Sequence, residues 1–274
     1  MLTERSGNPD VRSNLIASGH YARKQIFSRS RLVAWSHGSR FRTASQLAAP
    51  YAGSRLLDYG CGDGTFLALV HDLFPHALGV DADSAQIAGC AQRFASMAGL
   101  SFGMVHALAS PQHTGCYDIV TCMEVLEHCP ADLQRQVVDD LARVCSPCGT
   151  VIVSVPIEIG PALAAKQAAR AFAAARGLNE YASRERYAAG ELARMVFAGV
   201  RTVMPRDETV VELDDGTSMR VTGHKGFNWR ALERVIETRF VIERRMCSPM
   251  PLLGTWLNSQ VWFVLRQRTA AAPR

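Results

Sequence analysis

The stretch Leu56-Leu-Asp-Tyr-Gly-Cys-Gly-Asp-Gly-Thr-Phe-Leu67 restricts the fold more than any other part of the chain. An apolar run long enough for one buried strand ends at Gly60, Gly62 and Gly64, and a helical pattern starts at Thr65. Glycines let the backbone turn tightly and approach a ligand closely, while the N-terminus of a following helix offers N–H groups to an anion. Asp81 ends the next strand-like run, GVDAD, where an open α/β sheet sets a carboxylate beside the ribose hydroxyls of a bound nucleoside. The dinucleotide fingerprint G-x-G-x-x-G is not met, because Thr65 stands at its last position.

Around this loop the text alternates between short apolar strands and helical patterns. Strands are predicted over Arg55 to Tyr59, Ala77 to Val80, Leu100 to Val105, Asp118 to Cys122 and Gly149 to Val155, with helices over Thr65 to Leu73, Ser84 to Met97 and Asp132 to Val144. That order implies a parallel sheet covered on both faces. After Pro156 the alternation breaks for about 65 residues, with an alanine-rich helix from Pro161, a helix around Ala188 to Phe197, and a hairpin-like stretch from Thr209 to Val221 turning at Asp215-Gly216. It then resumes with a helix over Trp229 to Thr238, capped by Asn228, and strands over Phe240 to Met246 and Gln260 to Arg266. The link between those two strands is too short for a helical crossover, so they should be antiparallel. The expected architecture is a doubly wound, Rossmann-like α/β fold: a seven-stranded, mostly parallel sheet with an antiparallel last strand. Its parts are an N-terminal helical extension (1–50), a core (51–156), an inserted cap (157–222) and the end of the sheet (223–274).

Composition removes several alternatives. With 48% hydrophobic and 20% charged residues, the chain is neither disordered nor fibrous. It has no apolar run of the roughly 18 residues a membrane span needs and no signal-peptide core at its start, so a cytoplasmic protein is expected. Eight cysteines in such a chain are not a disulfide framework. Cys145-Ser-Pro-Cys148 lies between a helical and a strand pattern, which makes it a turn and not a redox or zinc motif. Net charge is +5, concentrated at the start, where residues 1–50 carry eight basic side chains against two acidic ones. Residues 161–206 likewise carry eight against three. Together they favour an anionic acceptor, while the low aromatic content (8%) and the lack of an RNA-binding module argue against nucleic acid.

Four motifs occur in order: the glycine loop, Asp81 in GVDAD, the fourth strand with its sequel YDIVTCMEVLEHCP, and the turn and strand SPCGTVIVSVP. With the antiparallel last strand they resemble the class I S-adenosylmethionine-dependent methyltransferases, over about residues 50 to 267. The EVLEH sequel is most similar to the ubiquinone-type O-methyltransferases and those of surface-sugar and natural-product pathways. The resemblance implies S-adenosylmethionine as cofactor. Gly60, Cys61 and Gly62 would line its methionine moiety, Asp58 would help receive its ammonium group and Asp81 would hold the ribose. Ala82 and Leu108 would border adenine, and Met123 would lie near the sulfur. Tyr21, in an N-terminal helix predicted over His20 to Ser28, would reach the cofactor mouth, with Trp35 and Arg40 in the same extension.

Glu124, Glu127 and His128 are spaced i, i+3, i+4, which on a helix puts three metal-capable side chains on one face. Some methyltransferases with this pattern use it, with a later histidine, to bind a divalent ion that grips vicinal hydroxyls; His224 is the later histidine here. Metal-free, His128 and His224 have ordinary pKa values near 6.5 that suit proton transfer, while a structural role for the glutamates stays open. The function expected is methylation of a small molecule, at oxygen before nitrogen. The alternatives are metal-assisted methylation of a vicinal diol or RNA end and, in another class, a nicotinamide-dependent oxidoreductase.

Overall fold

Side-chain alternation along the strands explains how the sheet is covered. The computed structural model describes residues 9–19, 31–175 and 187–268. Five parallel strands, β1 (Arg55–Tyr59), β2 (His76–Asp81), β3 (Leu100–Met104), β4 (Tyr117–Met123) and β5 (Cys145–Pro156), form most of one sheet. A separate hairpin of β6 (Glu208–Glu212) and β7 (Ser218–Thr222) precedes β8 (Phe240–Ser248) and β9 (Gln260–Gln267), which complete the sheet. Its order is β3-β2-β1-β4-β5-β9-β8, with β9 antiparallel to both neighbours. Leu57, Tyr59, Val120, Val151, Val153 and Phe263 enter one apolar cluster, while Leu56, Ile119, Ile152 and Trp262 enter another on the opposite face.

Helices close both faces. α1 (Pro9–Ala17), α2 (Arg31–Ala48) and α3 (Thr65–Val70) precede β2, and α4 (Ser84–Arg93) and α5 (Ala131–Val144) lie between later strands. α6 (Pro161–Ala175) and α7 (Ala189–Val196) belong to the insert, and α8 (Trp229–Ile236) precedes β8. Ala44, Leu47 and Ala48 of α2 pack with Phe66 and Leu67 of α3 on one face. Val137 and Leu141 of α5 pack with Trp229, Leu232 and Ile236 of α8 on the other. Asn228 caps α8, its side-chain oxygen accepting from the Arg230 amide at 3.0 Å, as expected from the sequence.

Differences from the sequence reading are local. α3 stops at Val70 and α4 at Arg93, each a few residues early. Past α4 the chain must fold Phe94 inward, where it is 2% exposed and stacks on Phe102 at 5.8 Å, and that turn ends the helix. The predicted helix over His20 to Ser28 lies outside the described residues. Cys145 already pairs with Tyr117 and regular pairing resumes at Thr150, so Ser146 to Gly149 bulge from the ladder. Cys145 and Cys148 are free thiols, one buried and one exposed. Burial pushes the Cys145 thiol up to about 12, which makes it inert at neutral pH. No helix among the described residues is long and apolar enough to cross a membrane.

The order puts β1 beside β4, where connections leave in opposite directions along the sheet. The crevice beyond the carboxyl ends of those strands is where an open α/β sheet binds ligands. Both the glycine loop and the EVLEH loop leave from there. The two-sided core that holds this edge in place should be sensitive to truncation: Phe263→Ala, at a wholly buried position of β9, should cost about 3–5 kcal/mol. Val241→Thr, half exposed on the edge strand, should stay within about 0.5 kcal/mol. Urea unfolding followed by circular dichroism measures both, and equal costs would contradict this placement of the core.

Candidate active site

A cavity of about 620 Å³ opens at this crevice. One side is built from the β1 loop and the end of β2: Asp58, Gly60, Cys61, Gly62, Asp81 and Ala82 all line it. The other side carries Met123, Glu124, Val125 and His128 from the β4 sequel, with Arg40 and Phe41 of α2 and Met219, Arg220 and Val221 of the hairpin.

The glycines are required by geometry. Gly60 has φ +78°, and a Cβ there would lie 2.2 Å from Val125 Cγ2, so this residue lets the two loops touch. Gly62, at φ +52°, donates its N–H to Asp81 Oδ2 at 2.9 Å. Asp81 Oδ1 accepts from the Asp83 amide at 3.1 Å, so both oxygens are oriented by backbone and keep lone pairs for further donors. Asp58 is 2% exposed and accepts the Thr121 hydroxyl at 2.6 Å, linking β1 to β4. Burial raises its carboxyl from 3.8 to about 7; the Thr121 hydrogen bond opposes this and the Asp81 charge adds to it. A carboxylate so placed in a cavity wall is matched by a cationic ligand group.

Two sequence expectations change. Glu124, Glu127 and His128 do not share a helical face. Glu124 closes β4 in the left-handed region (φ 57°), and only Leu126–His128 forms a single 3₁₀ turn. Held by its amide on the Ser154 carbonyl at 2.9 Å, Glu124 directs its carboxylate to Arg40 at 3.0 Å and to the Ser154 hydroxyl at 3.3 Å. Leu108 does not border the cavity. The chain enters a 3₁₀ turn directly after β3, which buries Leu108 in the core at 2% exposure and leaves Val105 in the wall. Tyr21 lies outside the described residues, and Trp35 is 42% exposed away from the wall.

Glu127, His128 and His224 do converge, each with a ligand atom within 4.8 Å of the others. His128 Nε2 is 3.2 Å from His224 Nε2 and 3.9 Å from Glu127 Oε1. His128 Nδ1 faces the Thr222 carbonyl at 3.1 Å, which fixes the proton on Nδ1 and leaves the Nε2 lone pair toward the cluster in the neutral ring. Burial, and then the neighbouring His224, hold the His128 pKa below its usual value, so the ring is neutral at pH 7. Glu127 is fully buried, and neither carboxylate oxygen has a hydrogen-bond partner among the described residues. Burial, aided by the Glu124 charge, pushes its pKa well up. The set of two imidazoles and one carboxylate fits a divalent cation in donor type, and an orphaned buried carboxylate is what such an ion would satisfy. Behind His224 stands Glu158, 3.9 Å from Nδ1 and paired with Lys166 at 2.9 Å. No sequence signal singled out Glu158 or the hairpin side chains, which reach the site through long-range packing, whereas Arg40 was expected at the cofactor mouth and lines the cavity.

Residues 33–196 match the family model described as a methyltransferase domain. A ubiquinone biosynthesis O-methyltransferase of Aromatoleum aromaticum is 37% identical over 109 residues, 39% of this chain and 45% of that protein. The matched stretch thus spans about half the length of such relatives. Among solved structures, a protein of Pyrococcus horikoshii OT3 superposes with TM-score 0.55 at 17% identity, covering 90% of this chain and 96% of that one. The N-methyltransferase NodS from Bradyrhizobium japonicum WM9, solved with S-adenosyl-L-homocysteine, gives 0.53 at 11% identity, covering 95% and 97%. These two show the shared fold.

Asp58 yields a pH test. Its folded-state value lies above the unfolded one, so the unfolded chain releases this proton first. The group therefore subtracts stability progressively as pH rises from about 4 to about 7, and the loss is complete above that. Asp58→Asn should remove this slope and raise ligand-free stability at neutral pH. Urea midpoints for both proteins across that range measure it, and curves that stay parallel would refute the assignment.

Proposed function

The chain belongs to the methyltransferase-domain family, and from that membership we propose that it moves the methyl group of S-adenosylmethionine to a hydroxyl oxygen of a small molecule. The observation that carries this reading is the shared cavity, with Asp58, Gly60, Gly62 and Asp81 on one side and His128 on the other. S-adenosylmethionine supplies a methyl carbon made electrophilic by its sulfonium. Asp58 receives a cationic ammonium beside the Thr121 hydroxyl, which offsets the cost of its burial. Asp81, oriented by two amides, accepts from ribose hydroxyls. Met123 separates the two halves of the wall and meets the reacting end. His128 Nε2, unprotonated at neutral pH, takes the acceptor's hydroxyl proton, and His224 Nε2 at 3.2 Å shares it.

The insert over residues 157–222 acts as the acceptor cap, because Met219, Arg220 and Val221 of its hairpin reach the cavity. Covering the reacting atoms excludes water and fixes the line of attack. The cationic wall residues are matched by carboxylates: Arg40 by Glu124, and Arg220 by Asp132 and Glu208. An acceptor recognised by shape and apolar contact, through Phe41, Val125, Met219 and Val221, is therefore favoured over a strongly anionic one. This is consistent with the O-methyltransferase relatives without naming their substrate as this chain's own.

The orphaned Glu127 carboxylate favours a second reading, in which Glu127, His128 and His224 hold a divalent ion. Such an ion would polarise an acceptor hydroxyl and lower its pKa. Glu124 would take no part, being engaged by Arg40.

Two measurements test these readings. Calorimetry with S-adenosylhomocysteine should show binding to the wild type, weakened by about 1.5–3 kcal/mol in Asp81→Ala. Unchanged affinity in a folded variant removes the ribose assignment. With a panel of phenols and catechols as acceptors, His128→Ala should lose about 10²- to 10⁴-fold in turnover while keeping S-adenosylhomocysteine affinity. Full turnover in that variant rejects the histidine as the proton acceptor. Titration with Mn²⁺ separates the two readings: tight binding abolished by Glu127→Gln and His224→Ala but kept in Glu124→Gln supports the ion, and no binding by the wild type excludes it.

A further inference from the structure

We propose that Arg206 is a positioning residue for the His128–His224 pair, its one guanidinium tying together the backbone segments that carry the two rings. The inference rests on the roles assigned above to His128 and His224. Arg206 lies between α7 and β6, in the insert. Its Nη2 donates to the Glu127 carbonyl and, at 2.7 Å, to the Gly223 carbonyl, and its Nη1 donates to the Cys129 carbonyl at 3.4 Å. The first and third of these carbonyls flank His128 on both sides, and the Gly223 carbonyl immediately precedes His224. One side chain therefore bridges two segments 96 residues apart, at the point where their ring nitrogens approach to 3.2 Å.

The turn after His224 is shaped to admit this side chain. Gly226 sits at φ +81°, and a Cβ there would lie 3.3 Å from Arg206 Cγ and 3.0 Å from Met204 Cε. Phe227 then presents its ring to the guanidinium, with the centroid 5.3 Å from Cζ. A lysine could not replace the arrangement, since a single ammonium lacks the planar fork that addresses several fixed carbonyls at once. Arg206 is not the only tie: the Thr222 hydroxyl also donates to the Glu127 carbonyl at 3.2 Å, and the Thr222 carbonyl holds the His128 ring. Removing Arg206 should therefore leave both segments folded while loosening the ring-to-ring geometry. In a reaction whose rate depends on sub-ångström placement of a proton acceptor, that is a catalytic loss without a binding loss.

The test is nitrogen NMR of histidine-labelled protein, which reads ring tautomers without any acceptor. In the wild type, His128 should show a fixed Nδ1–H form, and both rings should give single sharp sets of signals. In Arg206→Ala and Arg206→Lys the His128 and His224 signals should move toward tautomer-averaged values. S-adenosylhomocysteine affinity by calorimetry should stay unchanged, and added guanidinium, well below denaturing concentrations, should restore the fixed form in Arg206→Ala only. Unchanged histidine signals in either folded variant overturn the proposal. So does a parallel loss of S-adenosylhomocysteine affinity in Arg206→Lys, which would mark a general structural role. Should Arg206→Ala not fold, Arg206→Lys, which keeps stem and charge, decides the matter alone. Failure of the underlying reading shows up separately, as full turnover in His128→Ala, because the NMR measurement uses no activity.

Discussion

The carboxyl edge of this sheet buries four carboxylates, Asp58, Asp63, Glu127 and Glu158, and an ionised carboxylate removed from water is costly unless something answers its charge. Each is answered differently. Asp63 accepts from the amide and hydroxyl of Thr65, and Glu158 has Lys166 at 2.9 Å on one oxygen while its other oxygen has no hydrogen-bond partner among the described residues. Among the described residues Asp58 has the Thr121 hydroxyl alone, and burial outweighs that hydrogen bond and raises its pKa to about 7. Glu127 has no hydrogen-bond partner among the described residues, and burial pushes it well toward the neutral acid. Asp58 lines the cavity and Glu127 lies behind His128, which also lines it, so a ligand cation at the first and a divalent ion at the second would balance them. Free energy held back from folding in this way becomes available to binding.

The crevice also depends on how closely two loops approach. Gly60 carries no side chain where a Cβ would run into Val125, and Glu124 adopts a left-handed conformation that a non-glycine residue rarely takes. The surrounding contacts over-determine that conformation: its amide on Ser154, its carboxylate on Arg40 and on the Ser154 hydroxyl. Arg40 brings α2 into the arrangement, so the N-terminal helix forms part of the site. The EVLEH segment is consequently neither strand nor α-helix. It is a tight exit from β4 whose direction is set by contacts made elsewhere.

This explains what could be read from the sequence and what could not. The seven strands of the sheet, the glycine loop, Asp58 and Asp81 follow from local pattern, because apolar runs, glycines and the residue at a strand end determine one another over a few positions. Glu124, Glu127 and His128 were misread as one helical face because spacing alone assumes that the helix exists; the left-handed Glu124 breaks it at its first residue. Leu108 is buried and Val105 lines the wall because a 3₁₀ turn rotates successive side chains differently from a continued strand. The convergence of His224 on His128 is implied only by the resemblance to methyltransferases that pair this pattern with a later histidine, and Glu158 and Arg206 leave no trace at all. Contacts spanning 60 to 100 positions carry no periodicity for a sequence reading to detect.

The same division separates what relatives inform from what they do not. The family match ends at residue 196, and it contains the glycine loop, Asp81 and the β4 sequel. Arg206, the hairpin residues Met219 to Val221 and His224 all lie beyond it. The half of the cavity built from contiguous motifs is thus the half shared with many proteins. The hairpin residues and His224 come from separated segments outside the match and are tied to the core through Arg206, Thr222 and the His128–His224 contact. Family membership can therefore fix the methyl donor without fixing the acceptor. Acceptor selectivity should accordingly respond to changes in the insert that leave the donor side intact, because Met219, Arg220 and Val221 of the insert line the cavity while Asp58, Gly60 and Asp81 belong to the core.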